Sequence, residues 1–287
     1  VPSRFLTDRI ARRVINLLGV SALLILTLIV VFIVREGLPA FSQIGFFNFL
    51  FGSTWRPSNG EYGIWTMVLG SAAVTVGTLV LVIPLSLGCA ILLSEIAPQR
   101  IRYWLRLAID TLVGIPSVLF GLVGIAILVP IIRSLFGGSG YSIATAILVL
   151  TIMVLPTVVS ITEDSLHSLP YSYKEASLAM GATHWQTIWH VMIPAARSGI
   201  GAAIAMGVGR AVGETMAMIM VIGNSPIIPN SLFGQARTLT GNIAVEIMYA
   251  TGLHESALFA TGVILLILIM IIDSVAFILA RKGKSNG

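Results

Sequence analysis

Hydrophobic positions along the chain fall into six long runs separated by polar breaks. They lie at about Val14–Val34, Thr66–Leu93, Leu105–Ile132, Ile143–Ile161, Gly199–Ile222 and Ala257–Ala280. Each has the length of roughly twenty residues that a helix needs to cross a bilayer. In lipid the backbone must satisfy its own hydrogen bonds, so runs of this length predict helices. The expectation is an all-α integral membrane protein with six transmembrane helices. Pro84, Pro116 and Pro156 fall inside the second, third and fourth runs. Each removes a backbone donor and predicts a kink or break unless neighbours compensate. Gly114, Gly121 and Gly124 accompany Pro116, and these positions read either as close helix packing by small residues or as breaks that let the helices bend.

Composition agrees with this picture. Of 287 residues, 56% are hydrophobic and 10% charged, and mean hydropathy is +0.98. A soluble domain carries about 25% charged residues. The net charge of +5 does not indicate nucleic acid, because most basic residues flank the apolar runs. Cys89 is the single cysteine, so no internal disulfide is possible. The run after Arg4, Arg9, Arg12 and Arg13 is long enough to span, and no small-residue cleavage site follows it, so no cleavable signal peptide is expected.

Charge also sets an orientation. With both ends on one side, that side holds twelve basic residues: Arg4, Arg9, Arg12, Arg13, Arg100, Arg102, Arg106, Lys174, Arg197, Arg281, Lys282 and Lys284. The other side holds four: Arg35, Arg56, Arg133 and Arg237. Twelve against four predicts both termini cytoplasmic. One domain is expected over residues 1–287, with a peripheral first helix at 14–34 and a core at 66–280. Outer segments 35–65 and 223–256 are longer than connectors need. Trp55, Pro57, Tyr62, Trp65, Pro226, Pro229, Arg237 and Glu246 within them read either as interfacial anchors or as parts of a landing surface for an external protein.

The break between the fourth and fifth runs is the most informative. It forms a cytoplasmic loop at about 162–198, too polar to cross a bilayer. Pro170 precedes a short helix from about Ser172 to Met180 that carries Glu175, Ala176 and Ser177. Gly181 can take the left-handed conformation that ends a helix. A second short helix is expected to carry Trp185, Ile188, Trp189 and Met192 through Val191 and Ile193, until Pro194 stops it. An apolar stripe of this kind suits a groove on a soluble partner. A helix lying on lipid accounts for Trp185 and Trp189 taken alone, but not for the spacing of Glu175, Gly181 and Pro194.

Chemistry of a second kind lies in the fifth run. Arg210 and Glu214 are four residues apart, which predicts one shared helix face. Placing either charge in lipid costs about 2.5–3.5 kcal/mol or more, so both should face the bundle interior or a wet cavity. They are either a self-neutralising structural pair or an anion path, in which Arg210 offers donors and Glu214 competes for it. Other apparent signals carry less. Gly207-x-Gly209-x-x-x-Gly213 lacks dinucleotide spacing and a preceding strand. Gly283-Lys284-Ser285 has Ile278 where a phosphate loop needs glycine, so no ATPase site is expected here. His167, His184, His190 and His254 show no metal spacing and read as loop or surface residues. Asp110 and Asp273 read as helix-end or packing partners, with Arg106 one turn before Asp110.

The spacing of Glu175-Ala176-Ser177, Gly181 and Val191-Met192-Ile193-Pro194 resembles the signature loop of ABC importer permeases. Ser177, Val191 and Ile193 are conservative departures from its Ala, Ile and Leu. Arg210-x-x-Gly213-Glu214-Thr215-Met216-Ala217, followed by Ile222-Gly223-Asn224, is similar to the fifth helix of the PstC family of phosphate-specific permeases. Trp55-x-Pro57, Tyr62-Gly63 and Ile115-Pro116-Ser117 are similar as well. The resemblance implies a MetI-like permease core and no enzymatic activity in this chain. It implies a plasma-membrane heterodimer with a PstA-like permease. It also implies two PstB-like ATPases that bind ATP with magnesium, and an external PstS-like phosphate-binding protein. Arg210 and Glu214 map onto residues associated with phosphate movement. A sister PstA-type permease, or one for sulfate or molybdate, would share the loop. A secondary transporter would fit the buried charges equally well but not the loop.

Overall fold

The structure is a computed structural model that describes the backbone of residues 2–285 and the side-chain surroundings of residues 11–274. Arg4, Arg9, Arg281, Lys282 and Lys284 of the charge count lie outside the described side chains, as do the end of the sixth predicted run and Gly283-Lys284-Ser285. In chain order the helices are α1 (Pro2–Ile44), α2 (Phe46–Phe51), α3 (Trp65–Ile91), α4 (Gln99–Gly114), α5 (Ser117–Val123), α6 (Val129–Phe136), α7 (Ile143–His167), α8 (Tyr171–Ala179), α9 (His184–Thr187), α10 (Ile193–Gly213), α11 (Met216–Val221), α12 (Leu239–Glu246) and α13 (Leu253–Ser285). Strands β1 (Trp55–Arg56) and β2 (Glu61–Tyr62) form one antiparallel hairpin. Single turns of π-helix at Leu92–Ile96, Gly124–Leu128 and Ile188–Met192 follow α3, join α5 to α6, and join α9 to α10.

Six described segments are long and apolar enough to span: Ala11–Ile44, Trp65–Ile96, Ser117–Phe136, Ile143–His167, His184–Gly213 and Leu253–Ser274. Besides the first, which runs on to Ile44 past the expected Val34, two differ from the sequence expectation. The third does not begin at Leu105, because the apolar run breaks at Gly114-Ile115-Pro116. Ile115 is extended, at φ −74° and ψ 128°, since a following proline clashes with helical backbone. What precedes is α4, a separate amphipathic helix. The fifth span begins at His184 rather than Gly199, and it ends at Gly213 rather than Ile222. Pro194 therefore does not stop a helix. It lies just after the π turn at Ile188–Met192, and the helix continues through both. Pro84 and Pro156 likewise sit inside unbroken α3 and α7.

α7 is the most enclosed span, whereas the most apolar window of the first span contains no buried residue. Around α7, Leu150, Val154 and Val158 pack with Val82 of α3, Ala203 of α10, and Met218 and Val221 of α11. Gly207 lets α10 approach closely: a Cβ there would lie 2.6 Å from Val158 Cγ2. The start of α7 meets the segment after α11, where Ile143 N donates to Gly234 O at 3.1 Å and Ala144 N to Leu232 O at 2.8 Å. Its far end leads into α8. The two polar regions thus sit at opposite ends of a helix about 37 Å long.

Candidate functional site: a docking segment, an intramembrane arginine and a buried charge cluster

At the α8 end, the chain folds as two short helices around a glycine. Gly181 has φ +86°. Its N–H donates to Leu178 O at 3.0 Å, and Ala182 N donates to Ser177 O at 3.2 Å. This pairing satisfies the last carbonyls of α8 in a Schellman turn. Thr183 then caps α9: its hydroxyl accepts from Gln186 N at 3.2 Å, and its own N–H donates to Gln186 Oε1 at 2.9 Å. Ser177 Oγ and Thr187 Oγ1, 2.9 Å apart, tie the two helices together. Glu95, on the π turn after α3, receives Lys174 Nζ at 2.6 Å and lies 3.4 Å from His184 Nε2. One carboxylate therefore fastens both short helices to the second span.

The apolar stripe expected on the second of these helices is split. Ile188 and Met192 are buried against Ala90, Ile91, Leu166 and Ala196, because the π turn rotates them onto their own bundle. Trp185 and Trp189 remain exposed, with ring centroids 5.9 Å apart. Glu175, Ala176, Gly181 and Pro194 are exposed, whereas Ser177, Val191 and Ile193 are half-buried. The face open to a partner is thus chiefly α8 and its turn, with Tyr171, Leu178 and Met180 exposed around Glu175. Replacing Gly181 with valine puts a β-branched residue into left-handed backbone, at a cost of about 1–2 kcal/mol. Space is not the obstacle, since a Cβ there meets nothing within 4 Å. The expected result is a normally abundant membrane protein whose docking to a soluble partner through α8 and its turn is weakened, read by co-purification. Unchanged association would contradict it.

Arg210 and Glu214 are not one pair on a helix face. Helix α10 ends at Gly213, and Glu214 is extended at φ −68° and ψ 127°. Its carboxylate turns forward to accept from Ala217 N at 3.1 Å, at the start of α11, and its carbonyl accepts from Thr240 Oγ1 at 3.2 Å. Arg210 is half-buried and donates from one terminal nitrogen to Thr157 Oγ1 of α7 at 2.9 Å. The ion pairs among the described residues do not include it. Thr157 lies about 21 Å along α7 from Ile143 and about 15 Å from His167. Arg210 is therefore held beside the middle of α7 by a neutral hydroxyl.

Near the start of α7 the structure assembles a cluster that the sequence did not reveal. Glu246 accepts from Trp55 Nε1 at 2.8 Å and from Arg237 at 2.5 Å, and it lies 2.8 Å from His254 Nε2. Arg237 also donates to Asn224 O at 2.8 Å and to Asn242 Oδ1 at 2.9 Å. The side chains of Glu246, Arg237 and His254 are only 8%, 12% and 13% exposed. His254 is therefore not a surface residue. Burial opposes ionisation of Glu246. The hydrogen bonds from Trp55, His254 and Arg237, with the Arg237 charge, outweigh it and hold the carboxyl below its ordinary range. Burial and the Glu246 charge push the Tyr62 phenol up. Elsewhere, Arg106 pairs with Glu163 at 3.2 Å and Asp164 at 3.5 Å rather than with Asp110, because α4 lies against the end of α7.

The chain belongs to the family of binding-protein-dependent transport system inner membrane components, whose family model matches residues 82–284. Within that class it is similar to the phosphate transport system permease protein PstC of Pasteurella multocida, at 32% identity over 98% of this chain and 97% of that one. It is 38% identical to the probable ABC transporter permease protein YqgH of Bacillus subtilis, over 84% of this chain and 80% of that one. A chain from an inward-facing MetNI methionine ABC transporter superposes with a TM-score of 0.61 at 21% identity, covering 80% of this chain and 99% of that one. That likeness concerns the fold alone.

Proposed function

We propose that this chain is one of two permease halves of an ATP-driven importer of inorganic phosphate. The observation that carries the reading is Arg210, a cation beside the middle of α7 with a neutral hydroxyl as its described partner, leaving its charge available to an anion. The near full-length similarity to PstC supports phosphate as that anion. The reading includes the finer parts expected from the sequence. The bilayer is the plasma membrane, with both termini cytoplasmic, and residues 1–287 act as one permease domain. A PstA-like permease completes the path, two PstB-like subunits bind ATP with magnesium, and a PstS-like protein delivers phosphate outside. The exposed face around Glu175, Ala176 and Gly181 meets the ATPase, with Ser177, Val191, Ile193 and Pro194 shaping it. Glu214 shapes the path beside Arg210 by fixing the break between α10 and α11.

Import of this anion needs an energy source. Moving a dianion into a cell that is negative inside costs about 2.3 kcal/mol per charge per 100 mV, so roughly 4.6 kcal/mol. Two measurements test the reading. Thiol labelling of cysteines placed at Ser53, Ser139 and Ser231 should succeed from outside intact cells, and labelling at Ser177 should not. The co-purified complex should show ATPase activity stimulated by the loaded phosphate-binding protein and not by sulfate or molybdate. Labelling of Ser177 from outside, or stimulation by sulfate in place of phosphate, would overturn it.

A further inference from the structure

The hydroxyl that holds Arg210 differs from two others on α7. Thr151 turns back onto Ile147 O at 2.7 Å, and Ser165 onto Ile161 O at 2.6 Å, each spending its proton on its own helix. Thr157 does neither. Its oxygen accepts from Arg210 across the gap between α7 and α10, and among the described residues its proton has no acceptor. A hydroxyl carries one donor and two acceptor positions, so Thr157 keeps a donor free beside the guanidinium. Arg210 has five N–H groups, and among the described residues its one side-chain hydrogen bond goes to Thr157.

Two features place this pair. Gly207, one turn before Arg210, packs on Val158, the residue after Thr157. That contact brings the two helices close enough for the guanidinium to reach the hydroxyl. Pro156, immediately before Thr157, cannot donate to the turn above, so α7 is locally less committed to its own hydrogen bonds at this level. Asp273 of α13 approaches Gly209, where a Cβ would lie 4.0 Å from its Oδ1, but it is exposed and forms no ion pair with Arg210.

From this geometry we propose that Thr157 is a second substrate-contacting residue of the anion path. It sets the orientation of Arg210 while the path is empty and donates its own proton to one oxygen of a tetrahedral oxyanion, as Arg210 binds another. The proposal rests on the reading of Arg210 as the pathway cation. A passing oxyanion then meets a converging set of charged and neutral donors. The neutral hydroxyl adds contact without adding charge that would hold a dianion in place.

The test uses the full complex with its partner subunits and loaded binding protein, in proteoliposomes containing ATP. Phosphate uptake per assembled complex is measured for wild type, Thr157→Val, Thr157→Ala, Thr157→Ser, Arg210→Gln and the double variant Thr157→Val/Arg210→Gln. Thr157→Val keeps the shape and removes the hydroxyl, so about a tenfold loss of uptake is expected, with Thr157→Ala close to it. Thr157→Ser should recover to within about twofold of wild type. The double variant should be no worse than Arg210→Gln alone, because the two residues act on one anion. Normal uptake by Thr157→Val beside an inactive Arg210→Gln would overturn the Thr157 proposal and leave the Arg210 reading standing. Normal uptake by Arg210→Gln would overturn both. Equal impairment of the valine, alanine and serine variants would show that packing rather than the hydroxyl matters, and would also overturn it. If the valine variant fails to assemble, the alanine and serine variants decide in its place.

Discussion

Arg210→Gln is expected to lower phosphate uptake by about ten- to a hundredfold while the complex still assembles. Hydrogen bonds made by a charged group contribute about 1.5–3 kcal/mol, and each 1.36 kcal/mol is a factor of ten in rate. Assembly should survive, because the described bond lost is one contact to Thr157 and glutamine can still donate to that hydroxyl. The charge-swapped Arg210→Glu/Glu214→Arg protein separates this reading from a structural pair. The two side chains point to different partners, Thr157 and Ala217 N, so swapping them restores nothing and uptake should remain lost. Membrane abundance and uptake of the three proteins check this together. Recovery in the swap would show that pairing alone matters.

Glu246→Ala should be the most destabilising single change among the described residues between the spans. It leaves Arg237 buried without its carboxylate and removes the acceptor of Trp55 Nε1. Breaking a buried pair from one side costs about 3–5 kcal/mol, which corresponds to a fall in thermal midpoint on the order of 10 °C. The same residue predicts an acid response. Its carboxyl is held below the ordinary range in the folded protein. The stability it contributes is therefore fully present above the unfolded value of about 4.3. It is lost as pH falls through the lower folded value. Thermal midpoints between neutral pH and pH 3 should drop more steeply for wild type than for Glu246→Gln. Parallel curves would count against the assignment.

Parts of this molecule were legible in the sequence because they are local. Each span announces itself by length and hydropathy, and the turn at Gly181 by its spacing from Glu175 and Pro194. The bounds of the third and fifth spans are hidden where an apolar run conceals a change of backbone. Ile115-Pro116 breaks a run that is continuous in hydropathy, whereas the π turn at Ile188–Met192 carries helix through Pro194, where a stop was expected. Arg210 was visible as a charge in an apolar run, but its partner was not. The i,i+4 spacing pointed to Glu214, and the end of α10 at Gly213 turned that residue away. Thr157 sits 53 positions earlier, in an apolar stretch with no mark except the preceding proline. The Glu246 cluster draws Trp55 from 191 positions away, a distance at which periodicity is silent.

The central claim is that this chain forms half of a phosphate path with Arg210 as its intramembrane cation. ATP-dependent uptake of labelled phosphate tests it most directly, in proteoliposomes holding this chain, its sister permease and the ATPases, supplied with the loaded binding protein. The account predicts uptake that requires internal ATP, resists excess sulfate and molybdate, and falls at least about tenfold in Arg210→Gln at equal complex abundance. Undiminished uptake by the Arg210→Gln complex, or uptake that sulfate displaces, would contradict it.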